Sequence, residues 1–256
     1  MLCLDVVQII CDFSDLKTQI NLIQSCKEYD ENLKIRKLDC SVGIGFNITQ
    51  EIIKQTKFNK LQKLNVDNNS KVTNVNHLQN TLIELICSWF CGIDQKGFSN
   101  LKVLQKLDAE GNNKIRDLTH LQNTLIELNC SSCNGIDQKT ISELKVLQNL
   151  NANNNRKITD VNHLQNTLTE LYCCNGCGID QKGISNLKVL RKLKADRNNK
   201  ITDVNHLQNT LTELYCCGDC GIDQKGISKL KALQKIDAYF NNKITDVNHL
   251  QPRIIE

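Results

Sequence analysis

The sequence predicts an α/β solenoid, a stack of short strand–turn units, behind a small helical module at its N-terminus. Three observations carry this. Leucines spaced LxxL recur every 43 residues, the second at Leu64, Leu107, Leu150 and Leu193, with Ile236 in the last copy. A second series, Leu85, Leu128, Leu171 and Leu214, has the same period and is offset by 21 or 22 residues. The first 34 residues do not follow either series. The unit is therefore 21–22 residues long, in two alternating kinds. Self-similarity at such a period is the mark of units that bury their apolar sides only by stacking on one another.

Within residues 1–34, the spacing of Val6, Val7, Ile9, Ile10 and Phe13 predicts a first helix. Asp15 is placed to cap a second, with Leu16, Ile20, Leu22 and Ile23 toward its buried side. Ser25-Cys26-Lys27 leads to a third short segment. The stretch carries three Lys against six Asp and Glu, in a chain of net charge +4. Physically it is a cap over the open core of the first repeat, which solenoids need.

Residues 35–256 form the solenoid, about ten units. A founder unit begins at Ile35, with Leu38, Cys40, Phe46 and Ile52. Asparagine units follow the pattern Leu61, Leu64, Val66, Asn69, Val72, Val75, Leu78, with copies from Leu104, Leu147, Leu190 and Leu233. Cysteine units follow Leu82, Leu85, Cys87, Cys91, Ile93 and a helical stretch through Phe98 and Leu101, with copies from Leu125, Leu168 and Leu211. LxxLxL alternates with period two, so each unit opens on a short strand with its leucines inward. Asn69, Asn112, Asn155, Asn198 and Asn241 fall where the chain leaves the strand, placed to bridge buried turn backbones.

Of the 14 cysteines, those of the cysteine units read mainly as core. The C-x-x-C spacings at Cys130–Cys133, Cys174–Cys177 and Cys217–Cys220 have the form of zinc or redox motifs. On the repeat, however, Cys87, Cys130, Cys173 and Cys216 are the third inward position, and Cys91, Cys133, Cys177 and Cys220 are turn positions. Cys174 and Cys217 alone alternate outward, as surface thiols. The phrase HLQ repeats His77, His120, His163, His206 and His249; neighbours two strands apart are ~10 Å apart, too far to share a metal. No metal, cofactor or catalytic set is expected, and no enzyme.

Over residues 35–251 the pattern LxxLxLxx(N/C) resembles the leucine-rich-repeat family, which implies a horseshoe. The N-terminal module resembles an F-box through Leu2, Asp5, Val6, Ile9, Ile10, Asp15-Leu16, Leu22 and Cys26-Lys27, with Cys3 where that family has proline and Glu28-Tyr29 in place of an aromatic after the lysine. The Cys-Gly-Ile-Asp-x-x-Gly phrases at 91–97, 177–183 and 220–226 resemble the cysteine-containing repeats common in F-box proteins. The resemblance implies a substrate-recognition subunit of an SCF-type ubiquitin ligase. Val6, Ile9, Ile10, Leu16 and Leu22 would then divide between the module's core and a Skp-type adaptor, and the repeats would hold an unknown protein substrate. The alternative is a repeat scaffold with no ubiquitin role.

Partners follow from composition and from differences between copies. There is no dense Lys/Arg run, which argues against a nucleic-acid partner, and no apolar run near ~18 residues, which argues against a membrane span. Abundant cysteine without a secretory signal suggests a reducing cytoplasmic or nuclear setting. The outer segment KITDVNHLQNTL is identical at 157–168 and 200–211, whereas the strand-to-turn strings differ. Divergence among near-copies points to the concave face as the binding surface, with Trp89, Tyr172, Arg197, Tyr215, Tyr239 and Phe240 as its anchors. The residue before the second leucine alternates Lys63, Glu84, Lys106, Glu127, then Glu170, Lys192, Glu213, Lys235, a cross-strand charge ladder. The last strand, around Gln234–Ala238, is expected to leave an open edge for self-association.

Overall fold

The computed structural model describes residues 3–41, 47–247 and 254–255. Leu2, Phe46 and His249, singled out above, lie outside them. The fold is an α/β leucine-rich-repeat solenoid with N-terminal helices. The chain divides into two compact units, Met1–Ile115 and Arg116–Glu256.

The first unit opens with α1 (Leu4–Phe13), α2 (Leu16–Gln24) and α3 (Lys27–Asn32). Asp15 caps α2 as expected, its Oδ1 accepting from Thr18 N–H at 2.8 Å. Val7, Cys11, Ile23 and Leu33 are the buried residues that seat these helices. The buried side of α2 departs from expectation: Gln19 and Ile23 are buried, whereas Leu16, Ile20 and Leu22 are only half-buried. Inside, Gln19 Nε2 donates to Ser14 O at 2.8 Å, while its buried Oε1 has no hydrogen-bond partner among the described residues. Asp12 anchors the module to the repeats through Arg36 at 3.1 Å, and the Gln8 amide bonds both backbone groups of Lys34.

Parallel strands β1 (Lys37–Asp39), β2 (Lys63–Asn65), β3 (Glu84–Ile86) and β4 (Lys106–Asp108) follow, with Leu38, Leu64, Leu85 and Leu107 in register. Helices α4 (Gln50–Ile53) and α5 (Gln95–Phe98) lie between them. The second unit repeats the scheme with β5 (Glu127–Asn129), α6 (Gln138–Glu143), β6 (Asn149–Asn151), β7 (Glu170–Tyr172), α7 (Gln181–Ile184), β8 (Lys192–Lys194), β9 (Glu213–Tyr215), β10 (Lys235–Asp237) and β11 (Ile254–Ile255). Leu128, Leu150, Leu171, Leu193, Leu214 and Ile236 are in register. The expected open edge at Gln234–Ala238 is not found: Lys235 and Ile236 of β10 pair with Ile254 and Ile255. Unpaired strand N–H and C=O groups form a template for another strand, here one from the same chain.

Side chains tie each repeat to the one before. The Asn155 amide is fully buried; its Nδ2 donates to Cys133 O (2.9 Å), Ile136 O (3.1 Å) and Cys130 O (3.4 Å), and its Oδ1 accepts from Lys157 N–H (3.0 Å). Asn69, Asn112, Asn198 and Asn241 repeat the bridge. Two further ladders were not foreseen. Lys114, Lys157, Lys200 and Lys243 each donate Nζ to a turn carbonyl of the preceding repeat, at 2.7–3.1 Å. Gln50, Gln138, Gln181 and Gln224 each donate to one carbonyl and accept two backbone N–H groups of the following repeat.

The histidine ladder is part of the same stitching. Nε2 of His77, His163 and His206 lies 3.0–3.2 Å from the carbonyls of Ile53, Ile141 and Ile184. A carbonyl only accepts, so each ring donates from Nε2. Burial holds the His77 and His206 pKa below the ordinary histidine value, with Lys54 adding to the effect at His77 and Asp203 opposing it at His206. The unfolded chain therefore binds protons on these rings first. Their contribution to stability is complete above the ordinary value of ~6.5 and is lost as pH falls below it. The melting temperature is expected to drop between pH 7.5 and 5.5, a window above the titration of the carboxylates. The double substitution His77→Gln, His206→Gln should flatten that slope; an unchanged slope would show that other groups set it.

Candidate functional site

The solvent-facing side of the second unit's strands carries three aligned rows, because strand alternation sends every second residue outward and the register is exact in each pair. The first row is Glu170, Lys192, Glu213, Lys235. The charge ladder read from the sequence is present here: Lys192 meets Glu213 at 3.3 Å, and in the first unit Lys63 meets Glu84 at 2.6 Å. The second row is Tyr172, Lys194, Tyr215, Asp237. Lys194 Nζ stands 5.3 Å from the Tyr172 ring centroid and 4.6 Å from that of Tyr215, within cation–π reach of both. The phenols reach back along their own strands, Tyr172 donating to Glu170 at 3.0 Å and Tyr215 to Glu213 at 3.3 Å. The two rings are thus fixed, with Lys194 between them.

The third row corrects the sequence reading. Cys174 and Cys217 lie on this side, but Cys174 is buried and Cys217 half-buried. Their neighbours' carboxylates close over them: Cys174 Sγ is 3.6 Å from Asp196 Oδ2, and Cys217 Sγ is 2.9 Å from Asp237 Oδ1. Asp196 Oδ1 also accepts from Cys217 N–H at 2.8 Å. Burial first, then these carboxylates, push both thiols up to about 12. The thiolate is the nucleophile, so neither is a reactive surface group. Iodoacetamide at pH 7.5 is expected to alkylate the exposed Cys3 while sparing both. Mass spectrometry that found Cys217 labelled as fast as Cys3 would contradict this. The cysteines assigned to the core, Cys87, Cys130, Cys173, Cys216 and their turn partners, are buried. Among the described residues, no three His, Cys, Asp or Glu side chains are grouped to hold a metal.

Beyond the strands, a further set of residues repeats with backbone φ between +48° and +63°: Asn68, Trp89 and Gly111 in the first unit, then Ser132, Asn154, Asn175, Arg197, Gly218 and Phe240 in the second. Of the anchors named from the sequence, only Tyr172 and Tyr215 sit on strands. Trp89, Arg197, Tyr239 and Phe240 sit in the turns, three of the four at this left-handed position. In the first unit, Trp89 lies against Gly111, whose absent Cβ would stand 2.6 Å from Trp89 Cε3. Sequence alternation alone missed this rim, since it depends on φ; the recurrence of Asn and Gly three residues after each strand's last outward residue was the available signal.

The first unit also holds a groove of about 530 Å³ between the α1–α2 corner and β1–β3, floored by Leu38, Leu64 and Ile86. Along α1, Val6, Ile9, Ile10 and Phe13 are 43 %, 57 %, 43 % and 86 % exposed, an unburied stripe at i, i+3, i+4, i+7.

No protein-family model matches the chain, and no curated protein matches it. Among solved structures it is similar to the internalin inlF of Listeria monocytogenes, at 18% identity and a TM-score of 0.55 over 90% of this chain and 82% of that one. It is also similar to internalin C2 (inlC2) of the same organism, at 24% identity and 0.45 over 72% and 76%. A chain of the Rad7 and Elc1 complex from yeast matches at 13% identity and 0.48 over 93% and 82%. Likeness at this level concerns the fold. No helix among the described residues is long and apolar enough to cross a membrane.

Proposed function

We propose that this chain is a protein-binding scaffold that performs no chemistry itself, and that it serves as a substrate receptor: its N-terminal helices dock on a Skp-type adaptor of a cullin ubiquitin ligase, and its repeats hold the protein to be modified. The supporting observation is the α1 stripe. Val7 and Cys11 face inward, while Val6, Ile9, Ile10 and Phe13 leave a contiguous apolar strip in solvent. Such a strip is a contact surface more often than a free one. On this reading Val6, Ile9 and Ile10, which are exposed, would touch the adaptor, and Leu16 and Leu22, which are half-buried, would be shared with the module's core.

Calorimetric titration of the full chain with a Skp-type adaptor tests this. Binding at micromolar Kd or tighter is expected, lost in the double variant Ile9→Asp, Phe13→Asp. Both side chains are exposed, so circular dichroism should be unchanged. No binding by a folded wild type would overturn the ligase reading. The second reading, a scaffold whose helices only cap the solenoid, is favoured by the Asp12–Arg36 and Gln8–Lys34 anchors. A capping module can carry a docking face on its other side.

A further inference from the structure

We infer that the turn rim of the second unit, centred on Arg197, Gly218 and Phe240, is the contact site for the partner protein, and that it selects a segment with a carboxylate beside an aromatic or aliphatic side chain. This rests on the reading of the repeats as protein-binding and adds which atoms bind and what chemistry they choose.

The argument begins with backbone energy. Left-handed φ is open to glycine and tolerable for asparagine, but it is strained for larger side chains. At this position the stack dictates φ: Asn154, Asn175, Arg197 and Gly218 each donate their N–H to the next repeat, reaching Cys174 O, Asp196 O, Cys217 O and Tyr239 O at 2.8–3.1 Å. These bonds extend the strand ladder past the strands and hold Asn154, Asn175, Arg197 and Gly218 in this conformation; Phe240, in the last unit, takes the same φ without such a bond among the described residues. The earlier asparagine units meet the demand with Asn68, Gly111 and Asn154, whereas the last two carry Arg197 at +54° and Phe240 at +58°. Packing does not compensate. The Arg197 side chain is exposed and forms no hydrogen bond or ion pair among the described residues, and Phe240 is 73 % exposed. Strained residues that the fold does not need cluster at functional sites.

The neighbourhood defines the ligand. Gly218 lies between the two strained residues and offers a bare floor; the Arg197 side chain runs along it, with Cγ 3.2 Å from where a Gly218 Cβ would stand. On the other side Tyr239 and Phe240 pair with ring centroids 4.1 Å apart. Arg197 and Phe240 are two repeats apart, ~10 Å, a span that two or three residues of an extended segment cover. Charge sets the polarity of the guest. Glu170, Glu213, Asp196 and Asp237 are all engaged in hydrogen bonds within this face. Among the described residues Lys194, Lys235 and Arg197 have no ion pair, and Lys194 stands over the Tyr172 and Tyr215 rings and Lys235 over that of Tyr215, so the surface offers cations among aromatic rings. The exposed Asp219 beside Gly218 is a carboxylate that opposes an acidic guest.

The test pans a random dodecapeptide phage library against the full chain, then measures the selected peptides by fluorescence anisotropy. Peptides pairing Asp or Glu with an aromatic or aliphatic residue are expected. Arg197→Asn and Phe240→Asn should each weaken them at least tenfold while raising the melting temperature, because asparagine suits the turn. Asp219→Asn should strengthen them. Selected peptides that lack the acidic–apolar pairing, or that bind both asparagine variants as well as wild type, would overturn the rim and leave the protein-binding reading standing. Enrichment of no peptide would overturn both. Equal displacement by single-stranded oligothymidylate would assign the cations to nucleic acid and overturn the inference.

Discussion

Replacing Asn155 with alanine is expected to destabilise the chain by about 3–5 kcal/mol, against about 1 kcal/mol or less for the same change at its neighbour Asn154. The two differ in where their amides point. Asn155 is fully buried and bridges three carbonyls and one N–H of two successive repeats. Truncation strands those groups away from water, at about 1–3 kcal/mol for each one left unpaired, part of it recovered by relaxation. Asn154 is exposed and sits at φ +57°, so its substitution costs only the left-handed strain of alanine. Repeats contact only their neighbours, so the damage should be local. Amide hydrogen exchange should rise at Lys157 and around Cys130–Ile136 while the repeats farthest away keep their protection. Equal unfolding midpoints for the two variants would refute the bridging role.

The repeat, its strands and the inward leucines were legible because each is a local, periodic signal. The same holds for the asparagine ladder, since one residue type at one turn position in every copy is hard to read otherwise. What stayed hidden involves partners about 20 residues away. Nothing local to Lys157 marks it out; only the stacking of turns shows that its Nζ reaches Asn134 O at 2.7 Å. The same holds for Gln181, whose amide bonds three backbone groups of the next repeat. Cys174 followed the alternation and still ended up buried, because alternation gives the direction of a side chain but not what a neighbour's Asp196 lays over it. Arg197 and Phe240 were picked for their chemistry, as candidate anchors, without the fact that makes them most telling, their left-handed backbone. In the α1 stripe, the helix was legible and its apolar face evident, but whether that face was inside or out required the burial of Val7 and Cys11.

Gly183→Ala is the second change with a large expected cost, and its sign runs against helix propensity. Alanine in a helix is favoured over glycine by about 1 kcal/mol. Here the added Cβ would stand 2.1 Å from Thr159 O, a backbone atom held in the preceding repeat. The approach is close because Val161 N–H donates to Gly183 O at 3.0 Å, drawing α7 against that turn. Gly97 and Gly226 repeat the contact, at 2.0 and 2.1 Å from Thr73 O and Thr202 O. The methyl forces α7 outward, and such overpacking typically costs about 1–3 kcal/mol, so a net loss of about 2 kcal/mol is expected after the propensity gain. The chain contains its own control. In the remaining cysteine unit Thr140 occupies this position, with its Oγ1 donating to Arg116 O at 2.7 Å. A larger side chain is therefore accepted when it gives the crowded carbonyl a hydrogen bond. Gly183→Thr should consequently be better tolerated than Gly183→Ala, although threonine is the bulkier and the poorer helix former. Chemical unfolding of the two variants decides it: threonine less stable than alanine would mean that volume alone, and not the carbonyl's unmet demand for a donor, sets the cost at this contact.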